Sequence, residues 1–99
     1  MAEKLIYSYV TIFIIDASLE EDSIKALTEK FTALISKNGT LESVDEWGKR
    51  RLAYEIEDKT EGYYVLANFK ADGDFPKELD RQFRITDGIL RTIIIRKED

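Results

Sequence analysis

Two hydrophobic periodicities alternate along this chain of 99 residues, and their order constrains its fold more than its composition does. Ile6 to Ile15 is dense in β-branched and aromatic residues, the make-up of a strand. Behind it Ile24, Leu27, Phe31, Leu34 and Ile35 recur at the spacing of one helical face. Ser18-Leu19-Glu20-Glu21 reads as a capping box with Ser18 at the N-cap, and Asn38-Gly39 offers the left-handed residues that close a helix. Thr40 to Ile56 is a long, partly alternating stretch in which Leu52, Tyr54 and Ile56 share a face. Gly48 interrupts it and marks a bulge or a close backbone approach. Glu57 to Gly62, charged and without apolar anchors, predicts a hairpin loop, and Tyr63 to Lys70 a third strand. Asp72-Gly73-Asp74 reads as a turn that caps a second helix. Pro76 suits that helix's first turn, and Phe75, Leu79 and Phe83 follow at helical spacing. Beyond Asp87-Gly88, Ile89 to Arg96 makes a fourth strand.

The order βαββαβ, with right-handed crossovers, predicts an α+β fold. It is the ferredoxin-like sandwich: a four-stranded antiparallel sheet with two helices on one face. Residues 1–99 are expected to form a single domain, because a second core would leave each half too small to bury much surface. Counting faces adds one expectation. Val10, Ile12 and Ile14 alternate with Thr11, Phe13 and Ile15, so strand one is apolar on both sides, and Ile93-Ile94-Ile95 repeats the pattern. Either β1 is central enough for its neighbours to cover it, or the face without helices meets a partner. Scattered exposed apolar residues would explain the pattern as well.

The chain has no cysteine and no histidine. Disulfides, zinc–thiolate sites and thiol chemistry are excluded, and so is the side chain that titrates nearest neutrality. An enzyme is not expected, nor a metal, a cofactor or a small-molecule substrate. No segment approaches the ~20 apolar residues of a membrane span, and the first residues lack a signal-peptide pattern, so no membrane partner is expected and a cytoplasmic location is. Fifteen basic against twenty acidic residues argue against indiscriminate polyanion binding. The basic residues are placed, however: Lys49-Arg50-Arg51 form one cluster, and Arg81, Arg84, Arg91, Arg96 and Lys97 a second.

Glu46-Trp47-Gly48-Lys49-Arg50-Arg51 joins a stacking-capable indole to three cations, a pattern suited to phosphates and unpaired bases. A solvated basic turn beside a structural tryptophan fits these residues at least as well. Glu61-Gly62-Tyr63-Tyr64-Val65 lies where an RNA-recognition motif would carry its signature. It departs from that signature at Glu61, Tyr64 and Val65, which disfavours that mode of reading single strands. Acylphosphatases share the topology but need an anion cradle after strand one, and Asp16-Ala17-Ser18-Leu19-Glu20 is acidic there. Arg84 and Arg91 flank the entry to strand four, although a helix dipole alone would favour Arg84.

Together, Trp47-Gly48-Lys49-Arg50-Arg51-Leu52-Ala53-Tyr54-Glu55-Ile56, then Glu61-Gly62-Tyr63-Tyr64-Val65-Leu66, then Arg84-Ile85-Thr86-Asp87-Gly88-Ile89-Leu90-Arg91 resemble the bacterial small-subunit ribosomal protein S-six family. The resemblance runs from about Tyr9 to Arg96 in the right order and spacing. It implies a non-catalytic assembly role on the central domain of small-subunit ribosomal RNA, alongside the small-subunit protein numbered eighteen. On that reading Lys49, Arg50, Arg51, Arg84 and Arg91 are the RNA-binding candidates, and Tyr9, Trp47 and Tyr63 the partner-binding ones. The family's first strand usually carries Tyr-Glu and a following proline, where this chain has Tyr9-Val10 and Ala17. The alternative is a ferredoxin-like protein-interaction or ligand-sensing module that binds no RNA.

Overall fold

A computed structural model describes residues 5–56 and 58–97 and shows the elements β1 (Ile6–Asp16), α1 (Glu21–Asn38), β2 (Gly39–Ile56), β3 (Lys59–Asp72), α2 (Phe75–Arg84) and β4 (Ile89–Arg96). The strands form one antiparallel sheet in the order β2-β3-β1-β4. β1 and β3 are therefore central, and their helix-side residues carry most of the core. Tyr9, Thr11, Phe13 and Ile15 of β1 stand opposite Phe69, Ala67, Val65 and Tyr63 of β3. From α1, Ile24, Phe31 and Ile35 pack onto this surface, and from α2, Phe75, Leu79 and Phe83. At its centre the Phe31 ring stacks on Phe83 at 4.2 Å, with Phe13 at 5.7 and 5.0 Å from the two. The one polar side chain on β1's buried face, Thr11, is satisfied by donating its hydroxyl to the Ile93 carbonyl at 2.9 Å.

Several local expectations need correction. Ser18 does not cap α1. Its hydroxyl donates to the Asp16 carboxylate at 2.7 Å and accepts from Lys59 Nζ at 3.3 Å, α1 begins only at Glu21, and the N-cap position falls to Glu20 without a side-chain bond. Gly39 is not left-handed; it is extended (φ −170°), and α1 runs directly into β2. Glycine is needed there because a Cβ would collide with the Lys70 carbonyl across the sheet. β3 begins at Lys59 and not Tyr63, because Ile56 already pairs with Lys59 and the turn between them is tight, with Asp58 at φ 63°. Glu57, expected in that hairpin loop, lies outside the described residues. The second helix starts as expected: the Asp72 carboxylate accepts the backbone N–H groups of Asp74 and Phe75, at 2.9 and 3.1 Å.

Candidate functional site

All five expected RNA-contacting residues lie at one end of the sheet, the end where β1 terminates. Lys49 and Arg50 of β2 pair with Tyr63 and Gly62 of β3, which pair in turn with Ile15 and Asp16. Arg91 of β4 stands opposite Ile14. Arg84 closes α2 just before the loop whose Gly88 carbonyl accepts the Asp16 backbone N–H at 2.8 Å. With strands about 4.8 Å apart, Arg50 and Arg91 are separated by roughly 14 Å across the sheet. Among the described residues no carboxylate is within ion-pairing distance of Lys49, Arg50, Arg51 or Arg91, whereas Arg84 is held by Asp80 at 2.9 Å.

The alternation of the strands divides these cations between two faces. Arg50 and Arg91 share the register of Ile14 and Tyr64 and point to the face without helices, and Lys49 and Arg51 share that of Tyr63 and point to the helix side. The phase is set by a bulge. Glu46 pairs with Val65 and Gly48 with Tyr64, leaving Trp47 as the extra residue, and Gly48 takes φ +81°, a conformation that favours glycine. The bulge aims the Trp47 indole over Tyr64, with ring centroids 6.2 Å and planes 15° apart, and the indole N–H donates to Asp45 at 3.1 Å.

Trp47 and Tyr64 thereby form one wall of a shallow depression of about 260 Å³ on the open face, completed by Ile12, Ile14, Ile93 and Arg91. Ile14 is covered by its neighbours, but Ile93 is 42 % and Ile95 52 % exposed. Strand centrality therefore explains the doubly apolar β1 and leaves β4 with uncovered isoleucines. The sequence pointed to this apolar face but not to Tyr64 or the indole's place in it, because both depend on the bulge.

Two of the three expected partner contacts sit elsewhere. Tyr9 is only 6 % exposed and stacks on Phe69 at 5.4 Å, so it is a core residue and no surface contact. Tyr63 is half-buried on the helix side, and its hydroxyl donates to Glu46 at 3.1 Å. Burial, then that bond, hold the Tyr63 hydroxyl above its ordinary pKa. It lines a groove of about 500 Å³ between α1 and β2, together with Leu19, Ile24, Lys25, Glu46 and Lys49. Only Trp47 (39 % exposed) stands where a docking protein would meet it.

The same end of the sheet is tied together by Asp16. Its carboxylate accepts the Ser18 backbone N–H and hydroxyl and lies 3.4 Å from Lys59 Nζ on the β2–β3 hairpin; Lys59 also donates to Ser18 Oγ at 3.3 Å. The Ser18 hydroxyl bond foremost holds the Asp16 carboxyl below its ordinary range. Among the described residues no group of three or more acidic side chains is placed to hold a metal ion, and no helix is long and apolar enough to cross a membrane.

Comparison with known proteins places the chain among relatives. The family model described as ribosomal protein S6 matches residues 8–96. The small ribosomal subunit protein bS6 of Clostridium perfringens is 57 % identical over 91 residues, covering 91 % of this chain and 96 % of the relative. That of Clostridium botulinum is 53 % identical over 91 residues, covering 91 % and 97 %. The crystal structure of 30S ribosomal protein S6 from Thermotoga maritima superposes with a TM-score of 0.89 at 30 % identity, covering 94 % of this chain and 89 % of that one.

Proposed function

This chain belongs to the ribosomal protein S6 family of the small subunit, and on that premise we propose that it binds the central domain of small-subunit ribosomal RNA together with small-subunit protein eighteen, catalysing no reaction. The observation that carries this reading is the gathering of Lys49, Arg50, Arg51, Arg84 and Arg91 at one end of the sheet in a protein of net charge −5. A few placed cations neutralise a few phosphates, and the acidic remainder discourages indiscriminate binding. Lys49, Arg50, Arg51 and Arg91 are the stronger contacts, since Arg84 would have to leave Asp80. The open-face depression, with Trp47 stacked on Tyr64 and Ile93 beside them, is the surface for the partner protein: an apolar centre with Arg91 on its wall.

The test is copurification followed by reconstitution. The tagged chain should sediment with small ribosomal subunits, and its absence from them sinks the reading. Replacing Lys49, Arg50 and Arg51 together by alanine should then weaken assembly with protein eighteen on central-domain RNA. The salt dependence of binding should be shallow, at about 0.7–0.9 in log–log slope for each phosphate contacted.

A further inference from the structure

We propose that the groove between α1 and β2 is a pocket for one unpaired guanine base of the bound RNA, read by Glu46. This rests on the RNA-binding reading above and adds a site to it. The groove, about 500 Å³, is in the roughly 300–1,000 Å³ range of small-ligand pockets. It combines three kinds of surface that seldom meet in one place. Leu19, Ile24 and the Tyr63 ring give an apolar wall with an aromatic face. Glu46, with Glu21 near the Tyr63 hydroxyl, gives carboxylates inside it. Lys25 and Lys49 add ammonium groups to its lining.

Charge complementarity selects the occupant. A lysine or arginine side chain from a protein would satisfy the carboxylates but meet two ammonium groups. An acidic side chain would satisfy the lysines but meet two glutamates. A nucleotide carries a flat ring, N–H donors and a phosphate in one unit, and so answers all three surfaces at once. Among the bases, guanine alone presents two adjacent N–H donors on its Watson–Crick edge, at N1 and the 2-amino group. A carboxylate accepts such a pair bidentately. Glu46 is oriented for this: Tyr63 donates to its Oε1, which leaves Oε2 and the second lone pair of Oε1 to accept the two guanine donors. Lys49 lines both this groove and the neighbouring cleft that holds Lys59, so the phosphates on either side of a captured base have cations to follow.

The full chain can be tested with uridine decamers carrying one central guanosine, one central inosine, or neither. The guanosine decamer should bind about five- to a hundredfold tighter than all-uridine, the discrimination of one good bidentate pair. Inosine, lacking the 2-amino group, should lose much of that preference. Glu46→Gln keeps an acceptor for Tyr63 and should abolish the preference, so that the guanosine and all-uridine decamers bind the variant alike. Glu42→Gln, which removes a charge paired with Lys70 outside the groove, should keep it. In NMR spectra the guanosine decamer should shift the signals of Leu19, Ile24 and Tyr63. Equal affinities, no binding of any decamer, or a guanine preference that survives Glu46→Gln would each overturn the pocket. Capture of an oligo-arginine peptide at these same signals would do so too. Copurification with small subunits decides the RNA-binding reading separately.

Discussion

Lys49 and Arg50 are neighbours in the chain that face opposite sides of the sheet, Lys49 toward the groove beside α1 and Arg50 toward the face without helices. A consecutive run of cations is thus two half-sites. Arg50 and Arg91 share the open face with the proposed protein-docking surface, so Arg50→Ala and Arg91→Ala should weaken binding of protein eighteen as well as of RNA. Lys49→Ala and Arg51→Ala should weaken RNA alone, each lowering the salt slope by about 0.7–0.9. Calorimetry with the partner protein and filter binding with RNA separate the pairs. A uniform loss across all four variants would mean that the faces are not used differently.

Acid should loosen the Asp16 tie before it unfolds the core. The Ser18 hydroxyl, opposed by partial burial and assisted by Lys59, holds the folded-state pKa of Asp16 below its unfolded value. Such a group contributes stability above the unfolded pKa, and the contribution is lost as pH falls through the folded one. Ser18→Ala removes the largest cause, so the Asp16 carboxyl should titrate at higher pH and the hairpin should come free at milder acidity. Carboxyl-carbon NMR titration reads the first, and hydrogen exchange along Lys59 to Gly62 the second. An unshifted Asp16 titration in the variant would show that Ser18 is not the dominant partner.

Much of this architecture is legible in the sequence, and the parts that are not have physical reasons. The helical faces stand as spaced, with Ile24, Phe31 and Ile35 on one and Phe75, Leu79 and Phe83 on the other, because buried helices impose a 3.6-residue period. The faces of β1 were not legible, because both of its residue sets are apolar. Which set meets the helices depends on sheet order, and that decision buries Tyr9. Residues after Trp47 change face with the bulge, so no alternation rule could assign Lys49 and Arg50 beforehand. Ser18 fails as a cap because its backbone N–H and hydroxyl are turned to Asp16, its oxygen accepts from Lys59, and α1 starts only at Glu21. The charged stretch from Lys59 to Gly62 pairs as strand because the Asp58 turn brings Lys59 back against Ile56, and after a shift of register Glu61 and Gly62 pair with Arg51 and Arg50.

One hydroxyl offers a stabilising substitution. Thr92 Oγ1 is buried without a hydrogen-bond partner, on the β4 residue that stands opposite Phe13. An unsatisfied buried polar group costs about 1–3 kcal/mol, and valine has nearly the same shape. Thr92→Val should therefore raise the unfolding free energy by about 1 kcal/mol or more, read as a higher denaturant midpoint at unchanged m-value. A destabilised variant would show that the hydroxyl has a partner in solution.

Ile93 and Ile94 provide the sharpest separation of docking from folding. Ile94 stands opposite Thr11 and packs against the core; Ile93 stands opposite Ile12 and lines the open depression. Ile94→Asp puts a carboxylate among apolar side chains, which costs several kcal/mol and should unfold much of the population. Ile93→Asp leaves its charge in contact with water and close to Arg91, so stability should change by less than about 1 kcal/mol. If the open face receives protein eighteen, the same substitution buries that charge at the interface, and affinity should fall tenfold or more with the fold intact. Circular dichroism reports the fold and calorimetry the docking. A folded Ile93→Asp protein that binds the partner normally would remove the open face as the docking surface, and an edge strand would have to take its place.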